Sequence, residues 1–266
     1  MCDLWESARP RKGSGGSLRE GLRIMMDKHA RLLKLARLRW ESRWPGYKCI
    51  GDYCEGRYEC DLVSPYTRSA GNIDAELMIL LQDWSSDVVL SGPYLHARCT
   101  VGHDPCRVTN KRLKDLLQRH FGLELKDVYA TNVFPFVKLG AMSASIPMRD
   151  LVLAAREFTL PQIEIVGPRL AVCLGKAAFD AVAVAAGRRR TRSLAEAIAS
   201  PFEIGNTQVW CQAHTGQLGT MARNRAGADQ VERDWARMAA AYVWRLENAA
   251  SSRAPASVNL ASSMTC

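Results

Sequence analysis

Short apolar runs and longer amphipathic stretches alternate along most of this chain. Leu77-Met78-Ile79-Leu80-Leu81 is apolar throughout, and its length predicts a buried strand rather than a helix. Three further strands are predicted at Asp127-Val128-Tyr129-Ala130-Thr131, Leu170-Ala171-Val172-Cys173-Leu174 and Gln208-Val209-Trp210-Cys211-Gln212. Between and after them, apolar residues recur every three to four positions and predict helices over 110–120, 149–166, 175–186 and 228–248. Pro161 falls inside the second of these and predicts a kink or a break. Upstream, Leu18, Leu22, Met25, Met26, Leu32, Leu33, Leu35 and Ala36 predict an amphipathic helix from Ser17 to about Trp40, ended by Pro45-Gly46. Apolar strands that alternate with helices predict a parallel sheet covered on both faces. The expected fold is three-layer α/β/α with a central, mainly parallel, four-stranded sheet.

The same pattern divides the chain. Residues 1–16 are polar and Gly/Ser-rich and are expected to be a disordered tail. Residues 17–72 hold a basic helix and a Cys- and Tyr-rich loop region. The α/β domain is expected over 73–248, with a flexible tail at 249–266.

Composition adds a partner and a compartment. The chain has 266 residues, 47% hydrophobic, which suffices for one large domain with its own core. Its net charge is +9, and residues 1–50 hold 12 Lys or Arg against 5 Asp or Glu, so +7 of that excess is N-terminal. A basic balance predicts an anionic partner, nucleic acid foremost, and the first helix is expected to add nonspecific DNA affinity. A solvated helix face is the plainer alternative. Nine cysteines form an odd set without regular spacing, which predicts free thiols in a reducing compartment. Cys49, Cys54 and Cys60 fit no compact zinc motif, so neither a metal nor any other cofactor is expected. No stretch approaches the ~18 apolar residues of a membrane span. The expectation is a cytoplasmic, nucleoid-associated monomer.

Candidate chemistry gathers at the predicted strand ends. The first strand runs into Gln82-Asp83-Trp84, the second into Asn132-Val133-Phe134, the third into Gly175-Lys176 and the fourth into Ala213-His214-Thr215. A strand-end Asp or Asn is often only a turn or a cap. In a parallel sheet, however, such residues share one rim, where ligands bind. Asp83, Asn132 and His214 are therefore expected to surround one pocket.

These residues carry a resemblance. Gln82-Asp83 after an apolar strand resembles the first motif of the uracil-DNA glycosylases, and His214 followed by Leu218-Gly219 resembles their second. The segments 127–133 and 162–178 look like the corresponding parts of the iron–sulfur-containing bacterial branch. Where that branch has cysteines, near Phe136 and Ala155, this chain has none, so no cluster is expected. The resemblance covers about residues 75–245. It departs at Leu81, at Trp84-Ser85, which replaces a Pro-Tyr pair whose Tyr excludes the thymine methyl group, and at Thr215-Gly216.

The resemblance implies a DNA glycosylase that removes a deaminated base, uracil foremost, and leaves an abasic site for base excision repair. Asp83 would stabilise the sugar cation and orient a water, and His214 would hydrogen-bond the leaving base. Gln82 and Asn132 would contact the base, with Tyr94, or failing it His96, stacked upon it. Leu218 would fill the gap left by the flipped base. Gly219, Thr220, Arg223 and Arg225 would face phosphates. Asp87 remains an alternative acid. Hypoxanthine or xanthine as substrate, or a non-catalytic nucleic-acid-binding protein on the same fold, remain alternatives.

Overall fold

The computed structural model describes residues 18–225 and 227–251. The expectations for 1–16 and for the chain after Ser251 lie outside them. The chain opens with helix α1 (Leu18–Glu41) and a short strand β1 (Tyr47–Lys48), followed by 3-10 turns. The first core strand, β2, is Leu77–Asp83, and short helices α2 (Asp87–Leu90) and α3 (His96–Thr100) follow it. Then come α4 (Val108–Phe121), β3 (Tyr129–Phe134), β4 (Val137–Lys138), α5 (Met148–Ala154), α6 (Leu160–Val166), β5 (Leu170–Leu174) and α7 (Lys176–Ala185). The last part contains α8 (Leu194–Ala199), β6 (Phe202–Ile204), β7 (Thr207–Gln212), α9 (Gln217–Asn224) and α10 (Gln230–Ser251).

Among the described residues the main sheet has five strands in the order β3-β2-β5-β7-β6. The four expected strands pair in parallel. The fifth, β6, is an antiparallel edge strand joined to β7 by a tight turn at Gly205-Asn206. Only three residues long and partly exposed, β6 lacks the continuous apolar run that marks a central strand.

Side chains alternate across the sheet, and each face is buried separately. Met78 and Leu80 pack with Phe158, Ile163, Phe179 and Ile198 from the α5–α8 side. Leu77, Ile79 and Leu81 pack with Leu113 and Leu117 of α4 and with Trp235, Met238 and Tyr242 of α10. This is the three-layer α/β/α arrangement. Pro161 does not break its helix. The chain stays helical from Met148 to Val166, and the widened π turn at Ala155–Thr159 lies just before the proline. Such a turn absorbs the hydrogen bond that a proline nitrogen cannot donate.

The N-terminal helix is less of a solvent face than its charge suggests. Leu32, Leu35 and the buried Ala36 pack on the core. Three of its cations turn inward or sideways. Lys28 donates to Asp74 and to the carbonyls of Ile73 and Val166, and Arg31 pairs with Glu164. Arg39, fully buried, pairs with Glu59 and donates to the carbonyls of Cys60 and Leu62. Part of the basic excess thus fastens α1 to the fold, through Lys28 and Arg39 above all. Among the described residues no helix is long and apolar enough to cross a membrane.

Candidate active site

The sheet order places a topological switch at β2, which has β3 on one side and β5 on the other. In such sheets the crevice opens beyond the C-terminal strand ends at the switch. Asp83 is the last residue of β2, and His214 lies two residues past β7. Both line one cavity of about 120 Å³, with Tyr66, Leu81, Trp84, Ser85, Arg98, His103, Arg107, Asn110 and Met142 among its other walls. Leu81 and Trp84 form wall and do not fill the space. A larger hollow of about 430 Å³ also touches His103, but neither Asp83 nor His214 reaches it.

Asp83 is held from two sides. Gln82 Nε2 donates to its Oδ1 at 2.8 Å. The ammonium of Lys138, on β4, lies 3.0 Å from Oδ2 while donating to the Met142 carbonyl. Lys138 is off the hydrogen-bond line to Asp83, so the enclosed Oδ2 has no hydrogen-bond partner. Lys138 is buried and was not among the expected residues. Its trace in the sequence is a lone charge after the apolar run Val133-Phe134-Pro135-Phe136-Val137. The strand pair β1–β4 fixes it in place through the register Lys48↔Val137 and Tyr47↔Lys138.

His214 has a defined tautomer. The Gly216 backbone N–H donates to its Nδ1 at 3.0 Å, so the proton resides on Nε2. Burial lowers its pKa below the ordinary 6.5, Asp83 opposes that shift and Lys138 adds to it. His214 is therefore a neutral imidazole that offers an Nε2–H donor. The loop behind it is tight. A Cβ on Gly216 would lie 2.9 Å from His214 Nδ1, and one on Gly219 would lie 2.3 Å from the His214 carbonyl oxygen. From α4, Arg112 clamps the same loop by donating to the Thr215 carbonyl and to Thr220 Oγ1, and Thr215 donates to the Thr109 carbonyl.

Asn132 does not join Asp83 and His214 on the cavity wall. It stands in register with Leu81, is fully buried, and its Oδ1 accepts from Ser64 Oγ at 2.5 Å. Ser64 also accepts from the Tyr66 backbone N–H, which links the asparagine to the wall. The Asn132 Nδ2 has no partner. The segment 58–72, which carries no strand pattern, supplies Ser64 and Tyr66 and so separates Asn132 from the open space.

The aromatic wall is also different from the expected one. Tyr94 lies outside the cavity: its ring stacks on Tyr58 at 5.5 Å, Arg57 sits 4.4 Å over it, and its hydroxyl donates to Cys99 Sγ. His96 is exposed and not on the wall either. Tyr66, His103 and Trp84 take that place, with Tyr66 and His103 stacked at 4.9 Å and Trp84 tied to the Gly102 carbonyl. Gly102 has φ +76, and a Cβ there would collide with the Pro65 carbonyl. The alternative acid Asp87 is committed elsewhere, to Lys48 and Tyr53, and its pKa is lowered by the Lys48 hydrogen bond first.

The loop after His214 is helical rather than irregular: α9 starts at Gln217, so its first turn carries Leu218, Gly219 and Thr220. Leu218 is 83% exposed, an apolar side chain aimed at solvent. Arg225 is exposed as well. Arg223 is not: its guanidinium makes a two-point pair with the buried Asp234 of α10, and the Thr220 hydroxyl oxygen accepts from Arg112. The helical turn brings Arg223 back over α10, which is why it faces inward. Among the described residues no group of three or more His, Cys, Asp or Glu side chains is placed to hold a metal ion.

A family model described as the uracil DNA glycosylase superfamily matches residues 69–239. No curated protein matches the chain.

Proposed function

Because the chain belongs to the uracil DNA glycosylase superfamily, we infer that it hydrolyses the N-glycosidic bond of a deaminated base in DNA, uracil foremost. One observation carries this reading: an Asp carboxylate and a neutral His Nε2–H donor face the same small cavity at the strand ends. The transition state of this reaction has positive charge on the sugar and negative charge on the departing base. The Asp83 carboxylate suits the first and can orient a water, and the His214 donor suits the second. Gln82 acts here through Asp83, by fixing its rotamer.

The base must leave the duplex stack to reach such a site, or be presented on a single strand. Tyr66, His103 and Trp84 are the rings available to receive it, and Leu218 is the side chain available to occupy the vacated stack. Asn132, with an unpaired Nδ2 behind this wall, is the proposed base-reading amide once Ser64 turns aside from it. Arg225 and the backbone of Gly219 remain proposed phosphate contacts. A second reading is a nucleic-acid-binding protein without activity. Lys138 favours it, since its ammonium offsets part of the Asp83 charge.

The deciding experiment is cleavage of a labelled oligonucleotide with one uracil, followed by alkali, for the full chain and Asp83→Asn. Uracil-dependent scission is expected, with a loss on the order of 10²-fold or more in the variant. No scission on single- or double-stranded uracil, hypoxanthine or xanthine substrates would leave the binding reading in its place.

A further inference from the structure

Helix α3 carries a cation that none of these roles uses. Arg98 is 8% exposed, yet it lines the cavity of Asp83 and His214. Its one hydrogen bond among the described residues is long, 3.5 Å from Nη1 to the Val89 carbonyl, and no carboxylate among them lies within ion-pair distance of it. The other buried Lys and Arg side chains among the described residues are spent. Arg39 has Glu59 and two carbonyls, and Lys138 has Asp83 and Met142. A largely buried guanidinium with no ion-pair partner in contact is costly, and that cost is recovered when a ligand brings negative charge against it.

On the base itself such a charge develops as the glycosidic bond breaks. His214 gives a hydrogen bond there but no charge. Resting on the glycosylase reading, we propose that Arg98 is a catalytic residue that pairs with the departing base as it becomes an anion. The planar guanidinium fork matches the adjacent ring nitrogen and carbonyl oxygen over which that charge spreads. In this step the C1′–N bond breaks and its electron pair goes to the ring nitrogen. A water oxygen adds to C1′ and gives its proton to Asp83, which returns it to solvent. The free base takes one proton from solvent, and nothing is oxidised or reduced. A DNA phosphate is the other possible source of negative charge. It suits the exposed Arg107 and Arg225 better than a side chain enclosed beside Asp83.

The test compares wild type, Arg98→Met and Arg98→Lys on one oligonucleotide sequence carrying uracil or 5-fluorouracil, in single turnover, with oligonucleotide Kd measured in parallel. Fluorine makes the departing base more acidic, so its excision needs less help. Arg98→Met is expected to slow uracil release on the order of 10²-fold, to slow 5-fluorouracil release clearly less, and to leave Kd nearly unchanged, with Arg98→Lys between. Equal slowing of both bases overturns the proposal, and if Kd weakens too it assigns Arg98 to a phosphate. Should Arg98→Met not fold, Arg98→Lys and Arg98→Gln decide on the same ratio. If wild type cuts neither base, the glycosylase reading fails by itself. Arg98 is then tested by calorimetry with free 5-fluorouracil above and below the pH of its ionisation. Preference for the anion in wild type but not in the variants supports the charge site, and no preference overturns it.

Discussion

A single glycine controls the geometry around His214. At Gly219 even one methyl group would press on the His214 carbonyl, so Gly219→Ala must move backbone rather than a side-chain tip. Overpacking of this kind costs about 1–3 kcal/mol. The variant is expected to lower the urea midpoint modestly and excision far more, because the displaced atoms belong to His214 itself. The histidines also set a pH dependence. Burial lowers the pKa of both His214 and His103 below the 6.5 expected of the unfolded chain. Between the folded values and 6.5 the unfolded chain binds more protons, so stability rises with pH there and is lost as pH falls. Melting temperature is expected to drop between about pH 7 and about pH 5, and the drop to shrink in His103→Asn/His214→Asn. An unchanged slope in that double variant would assign the effect to other groups.

At the scale of elements, the second motif works as a clamp of three helices. α4 holds the loop after β7 through Arg112, and α9 is held to α10 by the Arg223–Asp234 pair. Asp234 also accepts from Gln230, and its backbone carbonyl accepts from the buried Gln212 at the end of β7. Removing Arg223 leaves the buried Asp234 to Gln230 and to Arg237 at 3.7 Å, which costs less than the about 3–5 kcal/mol of a wholly stranded buried charge. Arg223→Ala is therefore expected to act on thermal stability, with little change in the salt dependence of DNA binding. Arg225→Ala is expected to do the reverse and to reduce the salt slope by about one unit. The sequence shows two arginines two positions apart after a glycine-rich turn, and nothing in that spacing says which one faces α10.

Across the whole molecule, the sheet order gathers residues that lie far apart in the chain. The cavity draws Tyr66 from before the first core strand, Asp83 from β2, Arg98 from the connection after it, Asn110 from α4 and His214 from beyond β7. The exposed Leu218 stands on α9, which begins three residues after His214. This placement predicts that Leu218→Ala leaves stability unchanged and slows excision from duplex more than from single-stranded DNA. Single-turnover rates on the two substrates, with a thermal melt as control, check it. Equal slowing on both would remove the stack-filling role.

The apolar runs alone determined the four parallel strands and the helices that cover them, because full burial demands continuous apolar sequence. They also determined that Asp83 and His214 would come out on one rim, since parallel strands all end on the same side. The tertiary structure decided what surrounds them. Lys138 reaches Asp83 only through the β1–β4 pair, and Ser64 encloses Asn132 from a segment that shows no period. Tyr94 lost its expected place to Tyr66, His103 and Trp84, because loop aromatics pack where the backbone's turns and carbonyl partners hold them. Arg98 looked like any surface arginine in the sequence. That it forms no ion pair among the described residues is a property of neighbours that are distant along the chain, and only the folded molecule defines them.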